Sequence, residues 1–124
     1  MKQLQDKETL MLNPNDLFTH QNIVFDKIIK KIKKGITLED NIPAIIVGRM
    51  SGSKDESNGK YVVKEGNHRA YANLKLGKLV EAEFCSEFQP KSIYLQKVNE
   101  LFLDYTDELA KNHMENKFYR EWVN

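Results

Sequence analysis

The sequence predicts an α/β (α+β) domain: a small mixed sheet of about four strands with flanking helices, then a C-terminal helix or helical hairpin. Three observations predict it. Short apolar runs at residues 9–12, 44–47, 60–64 and 80–84 are bounded by turn residues. Residues 23–34 and 66–76 carry helical patterning between those runs. Asn58-Gly59, a pair suited to a positive-φ turn, precedes the third run and predicts an antiparallel hairpin with the second. A chain of 124 residues with 40% hydrophobic residues suits one domain with a real core, assigned to residues 9–85, with 90–123 as a helical extension.

Residues 1–8 are polar, and the first strand, 9–12, is stopped by Asn13-Pro14-Asn15. Asp16-Leu17-Phe18 and a polar bridge, Thr19-His20-Gln21-Asn22, lead into a helix over 23–34. There Phe25, Ile28, Ile29 and Ile32 recur on one face, and Gly35 stands where a left-handed C-cap belongs. After a connector over 36–42, Pro43 introduces a β-branched strand. A polar loop over 51–59 then leads to the hairpin's second strand. Gly66 opens the next helix and Gly77 closes it, with Ala70, Tyr71 and Leu74 facing inward. Val80, Ala82 and Phe84 alternate with Glu81 and Glu83, which predicts a half-buried strand. From Pro90 to Trp122 the pattern is helical, with one stripe of Tyr94, Val98, Leu101, Phe102, Tyr105 and Leu109 and a second of Met114, Phe118 and Trp122. That stripe packs on the sheet or buries surface in a homodimer.

Charge is balanced: the net formal charge is +1, and the basic and acidic residues spread over both halves, so no global nucleic-acid signature exists. Locally, Lys27, Lys30, Lys31, Lys33 and Lys34 line the outer face of the first helix. They solvate that face and complement the helix dipole, or they track a nucleic-acid backbone through Lys30, Lys31 and Lys34. Cys85 is the only cysteine, which excludes an internal disulfide and fits a reducing compartment. The opening MKQLQDKETLML lacks a signal peptide's apolar core, and no apolar run approaches the ~20 residues a bilayer span needs. A cytoplasmic protein without a membrane partner is expected.

The chemistry concentrates at Glu65-Gly66-Asn67-His68-Arg69-Ala70-Tyr71. A helix start offers N–H groups and a positive dipole end, which suit a phosphate. Gly66 lets the backbone approach closely, Asn67 and His68 present donors, and Arg69 offers a planar fork for phosphate oxygens. Glu65 is placed to hold Arg69 or His68, or to meet a ribose hydroxyl or a metal. The plain alternative is ordinary strand-to-helix turn chemistry with a surface His and Arg.

The order of elements, together with the acidic-Gly-x-His-Arg-x-x-Ala helix start and its Leu76-Gly77 stop, resembles the ParB/sulfiredoxin-like superfamily, whose signature turn reads Gly-x-x-Arg. The match spans roughly residues 10–84 and is specific over 44–83. By this resemblance Gly66, Asn67, His68 and Arg69 hold the phosphates of a nucleotide, ATP or CTP with Mg²⁺. Sulfiredoxins carry their catalytic cysteine immediately before the His-Arg pair, where this chain has Asn67, so sulfinic-acid repair is not expected. Segregation-type members continue into further domains, for which the 40 residues after Phe84 are too few.

Stand-alone and kinase-like members share the acidic-Gly-x-His-Arg form, which implies an NTPase or small-molecule kinase if the chain is an enzyme. Phosphoryl transfer needs a carboxylate to take a proton from the attacking hydroxyl. Candidate catalytic residues are Glu65, His68 and Asp16; the bridge after the first strand holds no acid, and its His20 is a further base or a structural histidine. Two alternatives remain: a non-catalytic DNA- or protein-binding module of plasmid or phage type, and a metal-dependent nuclease. No protein metal ligands are assigned.

Overall fold

The computed structural model describes residues 4–106, 110 and 113. Among them the chain is mixed α/β, with a six-stranded sheet, a separate two-stranded pair and two α-helices. In chain order these are β1 (Thr9–Leu12), β2 (Phe18–Thr19), β3 (Ile23–Phe25), α1 (Asp26–Thr37), β4 (Ile45–Arg49) and β5 (Tyr61–Glu65). Then come α2 (Asn67–Lys75), β6 (Val80–Phe84), β7 (Gln96–Lys97) and β8 (Phe102–Asp104). The large sheet runs β1-β6-β4-β5-β2-β7, and β3 pairs with β8 in parallel. No helix among the described residues is long and apolar enough to cross a membrane.

The four expected strands form, and β4 and β5 make the antiparallel hairpin. The sheet nevertheless exceeds the expected four strands, because β2 and β7 add to it. Each is two residues long and is held by backbone pairing, β2 parallel to β5 and antiparallel to β7, so neither leaves a periodic pattern to read.

Two helical expectations are corrected. Residues 23–25 form β3 instead of the first helical turn, so α1 starts at Asp26; it also continues through Gly35 to Thr37. Gly35 is buried against Ile42, so its small size serves packing within the helix. The helix expected from Pro90 is absent over 90–106, where β7, a 3₁₀ turn at Val98–Glu100 and β8 stand instead. Tyr94 takes φ 60°, which no right-handed helix accepts. The stripe also splits: Val98 and Leu101 are buried, whereas Tyr94, Phe102 and Tyr105 are exposed, so these residues never shared one face. Leu109, Met114, Phe118 and Trp122, with the homodimer surface assigned to them, lie outside the described residues.

Both helices contribute to one core. Ile28, Ile29 and Ile32 of α1 and Ala70, Tyr71 and Ala72 of α2 meet Ile45, Val47, Val63, Val80 and Ala82 of the sheet. Burial of each isoleucine contributes about 1.5–3 kcal/mol. Val62 points the opposite way from Val63 and joins Phe18, Met50, Phe88 and Leu95 in a second cluster. Gly48 makes that cluster possible. A Cβ there would lie 2.5 Å from both the Phe88 ring and the Phe88 carbonyl oxygen.

The tip between β4 and β5 is organised by Asp55. Its carboxylate accepts from the Ser53 hydroxyl at 2.7 Å, the Ser57 N–H at 2.9 Å and the Ser57 hydroxyl. The bonds from Ser57, then Ser53, hold Asp55 below the ordinary aspartate range.

Gly48→Ala should destabilise the protein by about 1–3 kcal/mol through overpacking, because the Phe88 backbone cannot swing aside; urea denaturation measures it. The folded pKa of Asp55 lies below its unfolded one, so its contribution is complete above the unfolded value and is lost as pH falls through the depressed folded value. Carboxyl NMR should give Asp55 a midpoint below that of a model peptide, with the Ser57 amide following the same curve.

Candidate functional site

At the end of β5 the chain turns through Gly66, at φ 106°, straight into α2. No side chain is tolerated there: a Cβ would sit 2.5 Å from Cγ2 of Ile45 and 3.0 Å from Nη2 of Arg69. The close approach ties the α2 start to the first residue of β4. The N-cap of α2 is Gly66, which has no side chain to cap with, and the first turn holds no acidic residue.

The next three side chains turn inward, and each grips a different connector. Asn67 donates from Nδ2 to Oε1 of Gln21 at 3.1 Å, which holds the loop between β2 and β3 against the helix. Its Oδ1 is buried and has no hydrogen-bond partner. Nε2 of His68 accepts the Phe25 backbone N–H at 2.9 Å, at the residue where α1 begins. The His68 ring, fully buried, lies parallel to Phe25 at 5.9 Å between centroids and meets His113 edge-on at 4.4 Å. Arg69 donates from Nη1 to the carbonyls of Pro43 at 3.1 Å and Ala44 at 2.8 Å, just ahead of β4. A guanidinium buried among backbone carbonyls keeps hydrogen bonds that replace its water.

The structure thus gathers Gly66, Asn67, His68 and Arg69 into one buried turn, with the side chains of His68 and Arg69 bonded to the protein's own backbone. Glu65 stands beside it, exposed at the end of β5. Asp16 is elsewhere: it is exposed on the 3₁₀ turn Pro14–Asp16, in a hollow with Gly59, Lys60 and Tyr61 at the opposite end of β5. His20 is exposed. On α1, Lys30 is exposed and pairs with Asp26 at 3.1 Å, Lys31 is half-buried and Lys34 is exposed. Among the described residues, no three His, Cys, Asp or Glu side chains group so as to hold a metal ion.

Sequence reasoning missed Gln21 and Gln96 as parts of this region. Gln96, on β7, donates from Nε2 to the carbonyl of Gln21 at 2.6 Å and to Oδ1 of Asn22 at 2.8 Å, which fixes the loop that reaches Asn67. The polar bridge 19–22 was a visible signal; Gln96 carried none, lying inside an expected helix.

No family model, curated protein or solved structure matches the chain.

His68→Leu should cost about 1–3 kcal/mol of stability by leaving the Phe25 N–H without its acceptor in the core. Arg69→Met, which strips two carbonyls of a charged donor, should cost at least as much. Chemical denaturation measures both, and losses of a few tenths of a kcal/mol, typical of surface changes, would remove them from this structural role.

Proposed function

We propose that this chain binds the phosphates of a nucleoside triphosphate, with Mg²⁺, at the start of α2. The observation that carries the reading is a helix start behind a glycine N-cap, with no acid in its first turn and a guanidinium packed behind it. The helix dipole places roughly half a positive charge there, and the glycine leaves the backbone bare for a phosphate oxygen. Backbone N–H groups at Asn67 and His68 are the proposed donors.

The side chains divide the work differently from the sequence expectation. His68 and Arg69 shape the cradle from behind, because their hydrogen bonds run to Phe25, Pro43 and Ala44. The Arg69 charge acts through space, with Nη2 against Gly66. Glu65, the acid next to the turn, is the group available for Mg²⁺ or a ribose hydroxyl. Asp16 faces a hollow with Gly59, Lys60 and Tyr61 and is not gathered with this turn, so binding is favoured over phosphoryl transfer. The alternative DNA- or protein-binding module gains less, since Lys30 is already engaged by Asp26.

Thermal denaturation with ATP, CTP or GTP and Mg²⁺ tests the reading. A nucleotide at 100 times its Kd should stabilise the fold by about 2.7 kcal/mol. Gln21→Glu keeps an acceptor for Asn67 and adds a negative charge beside the helix start, and should weaken binding about tenfold, or 1.4 kcal/mol. Unchanged melting with all three nucleotides would defeat the proposal, and undiminished binding to the Gln21→Glu protein would move the phosphates away from α2.

A further inference from the structure

A second feature lies on the face of the sheet turned away from the helices. Ile45 and Val47 pack with the helices in the core, so Ile46 between them points the opposite way. There it floors a hollow of about 400 Å³, within the range of small-molecule sites, with Phe84 beside it. Glu83 is the partner of Ile46 on β6. Lys64 stands at a bulge on β5, the extra residue between Val63, paired with Val47, and Glu65, paired with Ile46. Glu83 and Lys64 both line the hollow, and Glu87 joins them. The backbones of Glu83 and Lys64 are two strand spacings apart, about 10 Å, with Ile46 between them. Among the described residues, the side chains of Lys64, Glu83 and Glu87 make no hydrogen bond or ion pair.

We propose that this hollow binds a basic α-amino acid such as lysine. Two further charges line it, Asp6 and Lys7, and these offset each other. The Asp6 carboxylate accepts the Ser86 N–H at 2.9 Å, and the bonds from Ser86, followed by the Lys7 charge, hold it below the ordinary aspartate range. Two carboxylates and one ammonium are left to be met, and a basic amino acid meets them with two cations and one carboxylate. Its carboxylate pairs with Lys64, and its cationic groups pair with Glu83 and Glu87, through charge-assisted hydrogen bonds. Its methylene chain lies along Ile46 and Phe84, as the stem of a long charged side chain lies on apolar surface. A neutral amino acid would leave one glutamate unmatched, a diamine would leave Lys64 unmatched, and a dicarboxylate would be repelled by both glutamates.

The walls are held in place before any ligand arrives. The segment ahead of β1 is joined to β6 by the Lys7 N–H to the Phe84 carbonyl at 2.7 Å and by the Phe84 N–H to the Glu8 carbonyl at 2.9 Å. Cys85 donates its N–H to the Val47 carbonyl at 2.8 Å, which ties the end of β6 to β4. A bulge leaves its extra residue outside the ladder and re-aims its side chain, which accounts for a lysine at position 64 on this hollow. Cys85, the chain's only cysteine, is half-buried in the same wall, so its thiol reports whether the hollow is filled.

Amide NMR titration of the intact chain with L-lysine, L-norleucine and cadaverine tests the proposal. Norleucine lacks the side-chain ammonium of lysine, and cadaverine lacks its carboxylate. Lysine should give saturable shifts at Ile46, Lys64, Glu83 and Cys85 with a Kd of about 1 mM, and the other two should bind about tenfold more weakly. Lys64→Gln and Glu83→Gln, both changes at the rim, should each weaken lysine about tenfold. At ten times its Kd, lysine should slow alkylation of Cys85 by iodoacetamide about tenfold, because about one molecule in ten is then unoccupied. The proposal is overturned if lysine produces no saturable shifts at these residues or leaves Cys85 alkylation unchanged. It is equally overturned if norleucine or cadaverine binds as tightly as lysine, or if the Lys64→Gln and Glu83→Gln proteins bind like the wild type.

Discussion

Burial of Arg69 beneath Gly66 is the constraint on which the rest of the fold depends. β4 lies between β6 and β5 and pairs with both, so the position of its first residue sets the register of the sheet's centre. That residue, Ile45, packs against the bare backbone of Gly66, while the two carbonyls just before it accept from Arg69. Carbonyls arriving at a strand from a connector have no ladder partner of their own, and leaving them dry would cost about 1–3 kcal/mol each. A buried arginine meets two at once and in doing so keeps its own charge hydrogen-bonded.

His68 extends the same logic to α1. The helix begins immediately after Phe25, whose N–H would otherwise point into apolar surroundings; the imidazole nitrogen receives it. With Asn67 holding the loop at Gln21, three consecutive residues secure the chain before α1, the start of α1 and the approach to β4. A helix start braced on three sides is a preorganised surface, and preorganisation lowers the ordering cost of binding there. The polar side chains of this turn therefore brace the start of α2 from behind.

Much of the sheet was legible because its signals are local. Alternation at residues 80–84, Asn58-Gly59 ahead of β5 and Gly66 ahead of α2 each act within a few residues. What escaped was set by distant partners. β3 exists because residues 23–25 pair with 102–104, and β7 exists because 96–97 pair with 18–19; no helical or strand period records such pairings. The apolar spacing from Tyr94 to Tyr105 satisfied a helix template although Val98 and Leu101 alone are buried. At the site, the turn and its residues were readable from Gly66 onward. The direction of His68 and Arg69 was not, because their hydrogen-bond partners lie 43 and about 25 residues away in sequence.

The β4–β5 hairpin places a glycine contact at each of its ends, Gly66 against Ile45 and Gly48 against Phe88. Each admits a neighbour closer than any Cβ would. The two contacts are separated by about four residues of strand, on the order of 13 Å. Between them runs β4, hydrogen-bonded on both sides, with Ile45 and Val47 fully buried. Perturbations this far apart with no shared partner add independently. Substitutions at Gly48 and at Gly66 should therefore change stability by amounts that add, which makes the two ends of the hairpin separable by experiment.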